Sequence, residues 1–539
     1  MLKNNIFNFT MIFILWGIVP LTFILLGQDA NWDLQNYHLY IPITLFEGSF
    51  ANDVAPAGIQ SYFNPLQSLP AYLIHRVANT PNLSFIGGLI LSSFQGLCGP
   101  IVFMITKKLL KTSNIIAFLC SLLGITGAIY LSEAGTSFGD LTLSVLQLFS
   151  VFLCCTSLEK EDQDKFKRLA FSWGLIGASC GIKFTSIFIT PLVFCLTIAS
   201  FQEINNINIF KKIRSILFII IIPFVLSFFV LGFPGFILAW SDNKNPFFPL
   251  FSSIFGRSPL FLIDNDIDIR FIATSFLDIF TAPIKDFVGD KSYRAELLYR
   301  DPRTMITFYS GIISSFIYFI SRYTYHRSNR ISYLKLPAFI WFQIGLFFTY
   351  IIWIRIAGIA RYAISFQAIL GISLLISLSI IINQIFNPRE KQTLMLENLS
   401  KNQNLYLIIF LFILSFCLTN TTVPNWGRVD FQVKWNSLQI IENIDKKDEY
   451  KNPFDNDLVH EKSSVLLLNK PLGWLKQYAP KQSFNLFWPV ELSPLGIKLI
   501  KENIVNTNNE FIVIDSFWND KSTTLQNNKF ISLYNKLFN

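Results

Sequence analysis

Apolar runs of about 20 residues alternate along this chain with shorter polar segments, and that alternation predicts nearly all of its elements. About eleven membrane segments are legible by this criterion. They are Phe9 to Leu26, Leu83 to Ile105, Ile115 to Leu131, a fourth returning to Lys160, a pair between Leu169 and Ser200, Ile216 to Ala239, Thr304 to Ile320, Leu336 to Trp353, Tyr362 to Ile382 and Leu405 to Leu418. The pair is unusual. Some 32 apolar residues lie between two basic segments, too few for two crossings at roughly 20 residues each. Two short helices meeting at Gly181-Ile182-Lys183-Phe184 solve that problem, the first reaching only about 20 Å. Broken helices of this kind are tolerated where they line a protein-enclosed or wet cavity.

Basic clusters sort the loops into two sides. Lys107, Lys108 and Lys111, then Lys160, Lys165, Lys167 and Arg168, then Lys211, Lys212 and Arg214 fall in short connections of one polarity, the positive-inside pattern. The N-terminus is therefore expected in the cytoplasm, with the first span an uncleaved signal anchor. Residues 28–80 and 240–303 become long outer loops. Residues 1–419 read as one transmembrane domain, and 420–539 as a small outer domain. In that tail, Ser464–Asn469 and Phe511–Asp515 read as buried strands with a helix-like Leu495–Val505 between them, an α/β pattern. The predicted fold class is thus an all-α polytopic membrane protein with a small C-terminal α/β domain outside.

Composition sharpens this. Of 539 residues, 52% are hydrophobic and 15% charged, against about 25% charged in soluble domains. The net charge of +9 is accounted for by the positive-inside loops and does not point to nucleic acid. The seven cysteines lie almost wholly in apolar spans without ligand-like spacing, and the histidines at 38, 75, 326 and 460 build no zinc site. No internal repeat or inverted symmetry stands out, which argues against a transporter.

With so much of the chain in helices, chemistry is expected in the polar segments. Asp33, beside Trp32 and one turn from Tyr37, is positioned to accept a proton from a hydroxyl, and desolvation by the aromatics would raise its pKa. By itself, an Asp ahead of LQNYHLY reads first as a helix N-cap. Asp29, Glu133 and Asp140 are the other acidic candidates; Glu133 and Asp140 bracket SEAGTSFGD and serve equally well as helix-end residues. Lys183 sits inside an apolar stretch, where an unpaired ammonium is expensive and a functional role is the default; the alternative is a side chain snorkelling to the interface. Arg355 and Arg361 flank a short outer turn suited to a phosphate clamp, although either alone fits a headgroup anchor.

Taken together, these features resemble the GT-C superfamily of membrane glycosyltransferases, which includes protein O-mannosyltransferases, aminoarabinose transferases and oligosaccharyltransferase catalytic subunits. The features are an acidic first outer loop (DANWD, then NYHLY), acidic residues in the second, a broken helix pair carrying GIKFT, an NPFFP loop and an Arg-Tyr at a late outer turn. They span roughly Phe9 to Ile382. Asp33 is followed by Leu34, so the adjacent Asp-Glu pair of mannosyltransferases is missing. The resemblance implies a multi-pass inner-membrane enzyme that moves a sugar, with inversion, from a polyprenyl-phosphate donor to a glycan, lipid or protein acceptor outside. It implies Asp33 as the base, Lys183 with Arg355 or Arg361 on the phosphate, and Tyr37, His38, Tyr62, Asn64 and Tyr362 around the substrates. No cofactor is fixed by it; a divalent cation stays open. A polysaccharide polymerase or ligase would be expected to place a histidine as well as arginines in the 240–303 loop, which has none. A transporter would be expected to spread ionisable residues over several helices.

Overall fold

The computed structural model describes residues 2–431, apart from 49, 51–52, 56, 78–80, 160–163, 203–208, 263–268, 290–293, 330–335 and 387–402, together with 464–468, 484–486, 493–505 and 511–515. The chain is overwhelmingly helical over this range. Among the described residues, six helices are long and apolar enough to cross a bilayer: Ile6–Leu26, Phe85–Leu110, Phe184–Gln202, Ile213–Asn243, Arg303–Thr324 and Ala338–Ile356. A seventh is the pair Ala360–Ala368 and Leu370–Ile385, bent by 52°. This makes the chain a membrane-embedded α-helical protein. Asn114–Ile125, Asp140–Thr156 and Gln403–Thr419 are apolar but shorter. At 1.5 Å per residue the 12-residue helix Asn114–Ile125 spans only ~18 Å, so among the described residues six or seven helices meet the crossing criterion.

The break predicted at Lys183 is present. Helix α9 (Lys165–Ile182) ends there, Lys183 adopts an extended conformation, and a 3-10 turn, Phe184–Ile189, leads into α10 (Thr190–Gln202). Lys165 Nζ donates to the Ser200 carbonyl at 3.3 Å, so the chain returns to the end it left. The arms are longer than expected. Because α9 recruits the basic residues Lys165 to Arg168 into its first turn, its 18 residues reach ~27 Å. The 3-10 turn, rising about 2.0 Å per residue, extends the return arm.

Small residues set the close helix crossings. A Cβ on Gly177 or Gly181 would strike the backbone of Phe224 or Phe228, so only glycine lets α9 lie against α11 (Ile209–Asn243). Gly124 in α6 (Asn114–Ile125) meets the Ala368 carbonyl, while Gly371 in α17 (Leu370–Phe386) meets that of Cys120. That reciprocal contact seats the bent pair of helices following Arg361 against Asn114–Ile125. All seven cysteines are buried and free, as small apolar side chains.

Beyond helix Gln403–Thr419, Arg428–Val429 pairs antiparallel with Gln28–Asp29. Phe431 packs edge-on to Phe23 and Phe85 at 5.1 Å each. Residues 421–431 thus sit on the membrane body, although the predicted boundary assigns them to the tail. Farther on, Ser464–Leu468 is the middle strand of a three-stranded parallel sheet between Phe484–Leu486 and Phe511–Asp515, and Pro494–Val505 is helical. Ser493 N donates to the Leu260 carbonyl at 2.8 Å, tying that helix start to the 240–303 loop.

Candidate active site

Four polar segments that are far apart in sequence meet at one end of the helices. The first is the acidic loop. Asp29 is buried and fully occupied: Oδ1 accepts from Asn31 N (3.1 Å) and Asn31 Nδ2 (2.7 Å), and Oδ2 from Ser137 N (2.7 Å). It fastens the first loop to the second. Asn31 Oδ1 in turn accepts from Leu34 N at 2.7 Å, the service expected of Asp33 as a cap. Asp33 makes no such bond. It precedes a single π-helical turn, Leu34–His38, a local irregularity often found at functional sites.

Asp33 faces the turn that carries Arg361 instead. Arg361 Nη1 donates to Asp33 Oδ2 at 3.0 Å, with only 12% and 10% of the two side chains exposed. The pKa expectation is corrected here. Burial raises the Asp33 carboxyl, but Arg361, with His38 and Lys183 beyond it, outweighs burial and holds the group below its ordinary value. Trp32, expected to desolvate it, is 44% exposed.

Arg361 is delivered by a turn that starts at Gly358, whose φ of +65° suits a residue without a Cβ. A Cβ there would strike the Phe271 carbonyl, and Ala360 N donates to Arg294 O at 2.8 Å, so the 240–303 loop shapes this turn. The guanidinium lies over the rings of Phe138 (4.5 Å), Tyr362 (5.6 Å) and Trp426 (6.0 Å). Its Nε is buried and makes no hydrogen bond.

Lys183 supplies the second cation. Its Nζ donates to Asp140 Oδ2 at 2.7 Å and to the Phe138 carbonyl at 3.0 Å, and lies 5.2 Å from the Tyr362 ring. With 13% of the side chain exposed, it is enclosed and does not snorkel. Asp140 opens helix α8 (Asp140–Thr156) after Gly139 in a left-handed conformation. Glu133 is wholly buried nearby. Its Oε2 accepts from Leu141 N at 3.2 Å, while Oε1 has no partner. Burial, then the Asp140 carboxylate, pushes its carboxyl well up.

The remaining predicted residues separate into three sets. Tyr37 and His38 underlie the cluster. His38 Nδ1 lies 2.9 Å from Ser137 Oγ and Nε2 lies 3.3 Å from Gln67 Nε2. An amide N–H can only donate, so Nε2 is the acceptor and Nδ1 carries the proton. Burial pushes this imidazole down to about 3, against the pull of Asp33 and with help from Lys183 and Arg361. Tyr37 stands edge-on to His38 and Phe63 at 4.2 and 5.4 Å. Tyr62 and Asn64 hold the frame: Tyr62 Oη donates to Asp242 Oδ2 (3.0 Å), and Asn64 Nδ2 donates to the carbonyls of Gly181 (2.9 Å) and Leu231 (2.7 Å). The bond to Gly181 fixes the helix end beside Lys183. Arg355 stands apart from the cluster, its Nη1 donating to Ala273 O (2.7 Å) and Thr274 O (3.0 Å). Of the two clamp arginines, Arg361 alone joins Lys183.

Sequence reasoning missed the residues that enclose these charges. Trp426 Nε1 donates to Ser132 Oγ at 2.9 Å, and Arg428 Nη2 donates to the carbonyls of Ser132 and Ala134 at 2.7 Å each. The only signal was PNWGRV, an aromatic and an arginine just past the last span. Among the described residues, no group of three or more His, Cys, Asp or Glu side chains is gathered to hold a metal ion. No protein-family model and no curated protein sequence matches the chain.

Proposed function

We propose that this chain is a membrane glycosyltransferase of the GT-C kind, moving a sugar with inversion from a polyprenyl-phosphate donor to a hydroxyl of a glycan, lipid or protein on the outer face. The observation that supports it is the meeting of Asp33, Arg361, Lys183 and Asp140 at the ends of apolar helices. Two cations that share the Tyr362 ring match the needs of a phosphate. A carboxylate within hydrogen-bond reach of one of them matches those of a base. Asp33 takes the proton of the acceptor hydroxyl, whose oxygen attacks the anomeric carbon. The bond from that carbon to the phosphate oxygen breaks, and its electron pair leaves with the lipid phosphate. Arg361 and Lys183 stabilise the charge that develops there.

On this reading the three shorter apolar helices and Lys165–Ile182 complete a body of about eleven membrane segments in the inner membrane, with the N-terminus cytoplasmic. The strands and helix after residue 463 form a small α/β domain outside. The test is chemical. Cells lacking the gene should accumulate one lipid-linked sugar, and restoring the wild-type gene should clear it. Restoring Asp33→Asn should not, because loss of a general base slows turnover by about 10²–10⁴. Unchanged lipid-linked sugars in the deletion strain, or full clearance by Asp33→Asn, would sink the proposal.

A further inference from the structure

Both cations of the cluster are already spoken for. Arg361 Nη1 bonds Asp33 at 3.0 Å and Lys183 Nζ bonds Asp140 at 2.7 Å. Both pairs are largely shielded from water, where a charge must be compensated. The two cations also adjoin. Phe138 offers its carbonyl to Lys183 and its ring to Arg361, and Tyr362 lies beside both. Yet the compensation is incomplete in one respect: Arg361 Nε, buried, has a proton and no acceptor. A guanidinium that bonds a carboxylate through one Nη alone leaves the rest of its planar fork unused, and a phosphate is the anion whose oxygens suit that fork.

We infer that Asp33 and Asp140 are internal stand-ins for an anionic ligand, each holding one cation until a lipid-linked phosphate takes it over, so that arrival of the donor releases the base. This rests on reading Lys183 and Arg361 as the phosphate ligands. When Arg361 turns its fork to the phosphate, Asp33 loses its nearest compensating charge but stays buried. A buried carboxylate without a partner binds a proton more readily, so Asp33 becomes an effective base only with donor in place. Before that it is paired and idle, and it does not activate water. The arrangement imposes an order in which donor binds before the acceptor hydroxyl is deprotonated.

The inference makes an inverted prediction about affinity. A carboxylate that competes with the phosphate for the same guanidinium weakens phosphate binding, so removing its charge strengthens it. The probe is geranyl phosphate, titrated by calorimetry into the purified full-length protein in nanodiscs, with geraniol and inorganic phosphate as companions. Asp33→Asn should bind geranyl phosphate roughly 5- to 20-fold more tightly than wild type, the difference between a charged and a neutral competitor for one hydrogen bond. Arg361→Gln should bind it at least as much more weakly. Geraniol should not bind the cluster, and inorganic phosphate should bind far more weakly than geranyl phosphate. Asp33→Asn affinity equal to or below wild type overturns the exchange and leaves the phosphate site standing. Geranyl phosphate binding to none of the proteins overturns the phosphate site itself, and with it the proposed function. Inorganic phosphate binding as tightly as geranyl phosphate overturns the lipid-linked source. If Asp33→Asn is not recovered folded, Asp33→Ser and Asp140→Asn pose the same question, the latter by freeing Lys183. Turnover plays no part in the readout.

Discussion

Asp33 and Arg361, 328 positions apart in the chain, are joined by a 3.0 Å bond from the guanidinium to the carboxylate. The contact gives a carboxylate its cation, and it places the base and the phosphate clamp of the proposed reaction in direct contact. A substitution at Asp33 therefore reaches donor binding as well as proton transfer.

The same logic governs Lys183. Lys183→Met strands the Asp140 carboxylate, which keeps about 6% exposure, and breaking a buried pair from one side is destabilising by about 3–5 kcal/mol. The variant should melt well below wild type in detergent. Lys183→Met combined with Asp140→Leu should recover most of the loss while staying inactive. Equal melting of wild type and Lys183→Met would mean that the pair is not formed in solution.

Asp29 and Asp33 should differ in kind. Asp29→Asn keeps one acceptor oxygen but turns the other into a donor, so whichever way the amide sits it leaves either Ser137 N or the Asn31 N–H groups unsatisfied, at a cost of about 1–3 kcal/mol. Its residual turnover should track its folded fraction. Asp33→Asn retains an oxygen that can accept from Arg361, so its melting temperature should fall little while turnover is lost. Thermal melts paired with turnover per folded molecule check both, and the reverse pattern would exchange the two roles.

Acid stability should report His38. Unfolded imidazole takes a proton near 6.5, whereas the folded one resists until about 3. Between those values the unfolded chain binds more protons, so stability is complete above about pH 6.5 and falls as the pH drops through that window, by about 2 kcal/mol at pH 5. Asp33, held below its ordinary value, adds a loss in the same direction only at lower pH. Burial raises the Glu133 and Asp286 carboxyls, which act in the opposite direction over this range, so the readout is a difference: from pH 7 to 5 the wild-type melting temperature should fall relative to that of His38→Asn. Parallel slopes would remove His38 from the account.

Gly358 should tolerate no side chain. An added methyl meets the Phe271 carbonyl at a φ of +65°, and the strain acts on the turn that carries Arg361. Gly358→Ala should weaken geranyl phosphate binding as Arg361→Gln does, with helix content by circular dichroism unchanged. Wild-type affinity in that variant would show that the turn adapts.

What the sequence determined by itself was whatever depends on a run of neighbouring residues. The apolar runs dictate helices because a bilayer leaves no other partner for their backbone. The break at Lys183 follows from length alone, and the strand positions Ser464–Leu468 and Phe511–Asp515 from local apolar pattern. Asp33, Asp140, Lys183 and Arg361 could each be picked out singly, because a charge beside a long apolar run is conspicuous. Their partners could not. Asp29 and Asp33 stand in one short loop with similar surroundings in sequence, yet one closes onto Ser137 and the other onto Arg361. Arg355 and Arg361 flank one turn, yet only Arg361 enters the cluster. Tertiary structure alone decided these, together with the return of Trp426 to the site and the direction of the Asp33 pKa shift. The physical reason is that pairing and desolvation depend on distances of a few ångströms between loops. Those distances are set by where glycines such as Gly124, Gly177 and Gly371 let the helices cross.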